Sequence, residues 1–121
     1  MKKILLSTIL SLFLLTGVAY AGWTSATVLD GVTSTGASTD FAVQLWEDKT
    51  FYIVASSVTT GGTVLVQTSP DGSNWVTIAT VAVSANGTSE VAVTGMFHRY
   101  IRANLSARTD GTYSVIMFLN Q

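Results

Sequence analysis

The residues of this chain that could support catalysis are one histidine, His98, and seven acidic residues, and the chain has no cysteine. Nucleophilic catalysis needs a base beside the attacking group. His98 is the only imidazole in the sequence, and no G-x-S-x-G nucleophile elbow occurs. We therefore expect His98 to be a surface or strand-edge residue, and we expect that the protein is not an enzyme.

The acidic residues fall mostly in predicted turns. Asp71 and Asp110 each precede a glycine there, a position at which an aspartate accepts hydrogen bonds from the backbone. Zinc would need several histidines or cysteines. Calcium accepts loop oxygens, for which Asp30, Asp40, Asp48 and Asp71 are candidates, but no D-x-D-x-D loop occurs. We expect no cofactor and no metal centre, and leave calcium in a loop as an open alternative.

Aromatic side chains are the residues best suited to binding, because flat rings stack on the apolar faces of sugars or fill grooves of a partner. Trp46 lies beside an acidic predicted turn and is the candidate most expected to be exposed, while Trp23 could anchor the chain's N-terminal arm in a partner. Packing within the domain is the alternative role for each ring. The candidates for contact with a ligand or partner are Trp23, Trp46, Tyr52, Trp75 and Tyr100.

Residues 1–21 have the layout of a secretory signal peptide. Lys2 and Lys3 precede an uncharged apolar run over residues 4–15, and Ala19 and Ala21 form a small-x-small cleavage site. The apolar run is short for a membrane span, which needs about 20 residues. We therefore predict export to the periplasm, cell surface or medium, a single domain over residues 22–121, and no membrane span after cleavage.

The charge of residues 22–121 argues against nucleic acid as a partner. Four basic residues stand against seven acidic ones, so the net charge is −3 with His98 neutral. No basic field is available to attract phosphates.

These candidate residues must be positioned by β-strands. Short runs of β-branched and aromatic residues alternate with turn residues, and no helical periodicity follows residue 21. Turn dipeptides such as Asn86-Gly87 and Asp110-Gly111 predict hairpins between successive strands from Thr50 onward. We predict an all-β, two-sheet antiparallel β-sandwich, jelly-roll-like, of about eight strands: 26–29, 41–45, 50–58, 63–68, 75–83, 89–93, 99–106 and 112–119.

Both ends of the domain leave alternatives open. The segment 24–39 either pairs within its own subunit or orders on a neighbour. The last strand is apolar on both faces, so it is either covered within the subunit or packs on another one. Self-association through the N-terminal segment or the C-terminal strand is therefore a hypothesis.

Two resemblances bear on fold and function. Residues 66–81 and 97–105, with Ser69, Asp71, Gly72, Trp75 and the run Arg-Tyr-Ile-Arg at 99–102, resemble the later half of discoidin-type, galactose-binding-like jelly rolls. Residues 27–43, 62–81 and 97–119 are similar to small β-sandwich proteins of tailed phages and prophages and to exported bacterial proteins of unassigned role. The second resemblance implies an assembly or decoration module, and the first implies a carbohydrate-binding one.

We therefore expect a non-enzymatic secreted structural or interaction module, with self-assembly into a surface layer or fibre as the leading hypothesis. A carbohydrate-binding, discoidin-like module is the alternative.

Overall fold

The computed structural model describes residues 22–120, so the predicted signal peptide lies outside the described residues. All regular structure in this part of the chain is β. The strands are β1 Trp23–Val32, β2 Gly36–Ala37, β3 Phe41–Ala42, β4 Asp48–Ser56, β5 Gly62–Ser69, β6 Val76–Val83, β7 Gly87–Val93, β8 Tyr100–Arg108 and β9 Thr112–Asn120. Within residues 22–120 no helix has the length and apolar character that crossing a membrane requires.

The strands form two antiparallel sheets. The four-stranded sheet has the order β1-β9-β4-β7, and the five-stranded sheet has the order β2-β8-β5-β6, with β3 also pairing with β8. Because β2 and β3 both pair with β8, they share one edge position, and the connectivity is that of a jelly roll. The predicted two-sheet β-sandwich is confirmed, and each of the eight predicted strands overlaps an observed one. The two-residue β2 is the strand that the sequence did not indicate.

The predicted succession of hairpins is wrong in most places. Asp71-Gly72 does connect a paired hairpin, β5 with β6. The turns at Gly61, Gly87 and Gly111 instead carry the chain from one sheet to the other, since β4 pairs with β7 and β9. These glycines do have positive φ angles, of 113°, 140° and 98°. A turn dipeptide sets the local backbone angle, and the pairing of the flanking strands is decided by the packing of the two sheets.

The core lies between the sheets and is built by strict alternation along the central strands. On β9, Tyr113, Val115 and Met117 have no solvent exposure. On β8 the predicted inward face is confirmed, with Ile101, Ala103 and Leu105 fully buried. Burial of this apolar surface is the main favourable contribution to folding.

The N-terminal segment pairs within its own subunit. β1 runs alongside β9 from the pair Trp23 and Asn120 to the pair Val32 and Tyr113, and β2 pairs with β8. β9 lies between β1 and β4, so the backbone on both of its edges is already paired. β9 therefore has no free backbone edge to which a neighbour's strand could add. What β9 can offer a partner is its outer face, where Phe118 is 37% exposed.

Candidate functional site

His98 lies between β7 and β8 and is partly buried. Its Nδ1 atom is buried and has no hydrogen-bond partner among residues 22–120. Burial, and then the nearby Lys49 ammonium, lower the pKa of His98. Among residues 22–120, no carboxylate accepts a hydrogen bond from Nδ1 to orient the imidazole, as a nucleophilic site would need.

A groove of about 320 Å³ opens beside His98. It is mainly apolar, and two of its lining residues, Val76 and Phe97, are 61% and 64% exposed. The polar groups at its wall are those of Thr68, Ser69, His98 and Arg99. The sequence did not indicate this groove, because its walls come from strand ends and a loop that are far apart in the chain.

The turn of residues 69–75 has a structural role. The Asp71 carboxylate accepts hydrogen bonds from the backbone N–H groups of Ser73 and Asn74 at 2.9 and 2.8 Å, and from the Asn74 side chain and the Ser69 hydroxyl. These bonds hold the pKa of Asp71 well below its usual range. Gly72 adopts a φ of 79°. The predicted backbone-capping role of Asp71 is confirmed.

Asp110 does the same at the other end of the sandwich. Its carboxylate accepts hydrogen bonds from the backbone N–H groups of Thr59, Thr60 and Gly61, which lower its pKa. Among residues 22–120 no three histidine, cysteine or acidic side chains come close enough together to hold a metal ion. Asp71 and Asp110 thus organise loops.

A buried lysine that the sequence reasoning missed ties the loops together. Lys49 faces inward on β4 and has no solvent exposure. Its Nζ donates to the carbonyl oxygens of Trp46 at 3.2 Å, Glu47 at 3.1 Å and Met96 at 2.7 Å. Burial lowers the pKa of Lys49, and the carboxylates of Asp48 and Glu47 oppose that shift. The signal was present in the sequence, because Lys49 stands two residues before Phe51 on the apolar alternation of β4.

The five aromatic candidates do not form one site. Trp46 is partly buried and packs against the core, so the expectation that it is the most exposed candidate is wrong. Trp75 is half-buried, and the Arg102 guanidinium lies 4.1 Å from its ring centroid. Arg99 lies 5.5 Å from the ring centroid of Tyr100. In both cases a cation contacts the aromatic ring within the subunit.

The structure brings Trp23 and Tyr52 together on the outer face of the four-stranded sheet, with Phe118 between them. The ring centroids of Trp23 and Phe118 are 6.1 Å apart, and those of Tyr52 and Phe118 are 5.4 Å apart. Trp23 is 67% exposed and Phe118 37%, and Tyr52 is half-buried. We call Trp23, Tyr52 and Phe118 the aromatic patch.

Phe118 was not among the sequence candidates. The apolar residues on both faces of β9 were its signal, because the inward positions fill the core and leave the outward ones on the surface. The strand register places Ile116 directly opposite Tyr52, and Thr50 and Ser25 opposite Phe118. The patch therefore continues into an apolar and hydroxyl-bearing surface towards β9 and β1, and it meets the exposed Glu90, opposite Tyr52, on β7.

This geometry defines the class of protein as an antiparallel jelly-roll module with an exposed aromatic patch. Among the described residues, no catalytic group is assembled. The chain belongs to the family DUF6385, a domain of unknown function, whose model matches residues 42–121. No curated protein is similar to the chain in sequence.

Solved structures with the same fold include SPBc2 prophage-derived protein YomS, with a TM-score of 0.62 and 14% identity over 80% of this chain and 91% of that one. The PBSX exported protein XepA matches with a TM-score of 0.54 and 14% identity, over 80% of this chain and 37% of that one. The K1 cleaved adhesin domain of Lys-gingipain from Porphyromonas gingivalis W83 matches with a TM-score of 0.53 and 6% identity, over 80% and 73%. The resemblance to prophage-derived β-sandwich and exported proteins is confirmed at the level of fold.

Proposed function

We propose that this protein is an exported, non-enzymatic assembly module that contacts a second copy of itself through the aromatic patch on the four-stranded sheet. The exposed cluster of Trp23, Tyr52 and Phe118 is the observation that carries the proposal. Aromatic side chains supply most of the binding free energy of many protein interfaces, because each buries a large area with few rotatable bonds.

The patch is positioned by paired strands. Its three residues stand on β1, β4 and β9, and β9 is paired on both sides. A partner therefore has little ordering of the backbone to impose when it binds, which favours affinity. Thr50, Ile116 and the patch residues carry no charge, and the carboxylate of Glu90, opposite Tyr52 on β7, lies at the edge of the patch. Two copies therefore avoid bringing like charges together if they meet on the side of the patch away from β7.

The angles between the rings favour a protein partner over a polysaccharide. Trp23 and Phe118 are inclined at 41°, and Tyr52 and Phe118 at 87°. A row of sugar rings would stack best on aromatic faces that are nearly parallel, whereas interlocking side chains of a protein interface accept inclined rings.

Carbohydrate binding is the second candidate, and the exposed indole of Trp23 favours it. A single ring of this kind can stack on one sugar residue. Trp75 and Tyr100 contribute less to this candidate, because arginines already lie against their rings. A glycan array on the exported protein tests it, and binding that is lost in Trp23→Ser would favour the glycan over a second copy.

The test of the proposal is the oligomeric state of the exported protein, measured by sedimentation velocity over a range of concentrations. We expect self-association that Trp23→Ser together with Phe118→Ser weakens by about tenfold or more, as the loss of two aromatic contacts implies. Leu45→Ser is the matched control, since Leu45 is 70% exposed but lies in the loop between β3 and β4. An equal effect of the control, or a monomeric wild-type protein at high concentration, would contradict the proposal.

Export is part of the proposal and depends on residues 1–21. The arrangement of lysines, apolar run and Ala-Tyr-Ala site supports it. Mass spectrometry of the protein recovered outside the cytoplasm should find Gly22 at its N-terminus. Recovery of the full chain, beginning at Met1 and inside the cell, would count against it.

A further inference from the structure

The edges of the two sheets differ in how well they are protected against pairing with another strand. Natural sheets block their edges with charged residues, prolines, bulges or very short strands. β1 has register shifts after Thr27 and Leu29 and carries Asp30. β7 carries Glu90, and β2 and β3 are two residues long each.

β6 is the least protected of these edges. Its eight residues, VTIATVAV, include no charge, no proline and no glycine. Within residues 22–120 it pairs with β5 alone, so the N–H and C=O groups along its outer edge have no strand beside them. One irregularity occurs near Ile78, where the register with β5 shifts, and residues 79–83 continue as a regular strand.

The side chains of β6 are suited to an antiparallel pair with an identical strand. Ala79 and Val81 pack against the core, and Thr80 and Ala82 are exposed on the outer face. A register that places Thr80 opposite Thr80 also places Ala79 opposite Val81, so the core side of one copy meets the core side of the other. Threonine pairs across strands are favourable.

We infer that β6 pairs with β6 of a second copy about a two-fold axis near Thr80, which joins two five-stranded sheets into one continuous sheet. A second copy is the occupant that the charges select. Residues 22–121 have a net charge of −3, and β6 has no charged residue, so two copies that meet along β6 bring no like-charged side chains of this strand together. A charged peptide would find no complementary residue on this strand. An interface of this kind uses the same residues on both copies.

This interface is separate from the aromatic patch, which lies on the other sheet, and the inference holds whether or not the patch associates. If both operate, each copy has two contact surfaces. One self-complementary contact closes a dimer, whereas two of them at different places extend a chain of copies. A filament would then be the expected assembly.

The experiment is sedimentation velocity on the exported protein and on Thr80→Lys. Two lysines opposite each other at the axis should repel and should raise the dissociation constant of this contact by about tenfold or more. Thr88→Lys is the matched control, because Thr88 is an exposed residue on the edge strand β7. An equal response of the two variants, or none in Thr80→Lys, would overturn the inference.

Disulfide crosslinking gives a readout that does not depend on how the lysine variant folds. The chain has no cysteine, so Thr80→Cys introduces a single thiol. We expect mild oxidation to give a covalent dimer for Thr80→Cys and far less for Thr88→Cys. Equal yields would overturn the inference. Each cysteine variant is also made together with Trp23→Ser and Phe118→Ser, which remove the aromatic patch. Crosslinking at Thr80 should persist in that background, which distinguishes the two contact surfaces.

Discussion

The outer faces of the two sheets contain similar residue types and present them differently. On the five-stranded sheet, Arg102 lies over Trp75 and donates to the side chain of Gln67, which in turn donates to Thr77. On the four-stranded sheet, the rings of the aromatic patch contact one another, Glu90 is opposite Tyr52, and no cation among the described residues lies against the rings. Whether an aromatic residue is available to a partner is therefore decided by its cross-strand neighbours as much as by its exposure.

The largest expected effect comes from removing the cation on the five-stranded sheet. Arg102→Ala should lower the free energy of unfolding by about 1–2 kcal/mol, because the contact with Trp75 and the bond to Gln67 are both lost. Chemical denaturation monitored by circular dichroism measures this. Acrylamide should also quench the tryptophan fluorescence of the folded variant more strongly than that of the folded wild-type protein.

Arg102→Lys is the matched control for that variant. Lysine keeps the charge but lacks the planar guanidinium that both stacks on the ring and bonds the amide. We expect it to recover only part of the stability. Full recovery would show that charge alone, and not the flat contact, protects Trp75.

A smaller effect is expected from placing a cation on the four-stranded sheet. Ile116→Arg puts a guanidinium opposite Tyr52 and next to Phe118 in the register. Self-association through the patch should weaken several-fold, while the free energy of unfolding changes by no more than about 0.5 kcal/mol, as for most surface substitutions. Ile116→Leu should leave association unchanged. If the arginine variant associates as strongly as the wild-type protein, the proposed difference between the outer faces of the two sheets is contradicted.

The smallest effect concerns the hairpin that presents Trp75, and it depends on pH. The pKa of Asp71 is depressed in the folded state, so its stabilisation is complete above the pKa of the unfolded chain, about 4, and is lost as the pH falls towards the folded value. Asp71→Asn should therefore flatten the fall in stability below about pH 4. Thermal unfolding at a series of acidic pH values measures it, and parallel curves for wild type and variant would contradict it.

Much of the fold could be predicted from the sequence, because inward and outward residues alternate along the strands. The inward face of β8 could be predicted from Ile101, Ala103 and Leu105. Strand pairing could not be predicted, since Asn86-Gly87 looks the same whether it joins neighbours in one sheet or crosses between sheets.

Only part of the aromatic patch could be predicted from the sequence. Trp23 and Tyr52 were candidates on their residue type, but their meeting with Phe118 depends on three strands that are distant in sequence. Lys49 was not among the sequence candidates, because a charged residue is rarely fully buried. Its three carbonyl acceptors come from two loops, and this arrangement exists only after the sheets have packed.

The three tryptophans provide the most direct test of the aromatic patch as a contact surface, since they lie in three environments. The measurement follows the indole N–H signals in NMR spectra of the exported protein from low to high concentration. Single substitutions assign the signals to Trp23, Trp46 and Trp75. We predict that, in the Thr80→Lys variant, where pairing through β6 is weakened, the Trp23 signal shifts or broadens with concentration while Trp46 and Trp75 stay constant. A Trp23 signal that stays constant while the protein associates, or a concentration dependence confined to Trp75, would contradict the assignment of the contact to the four-stranded sheet.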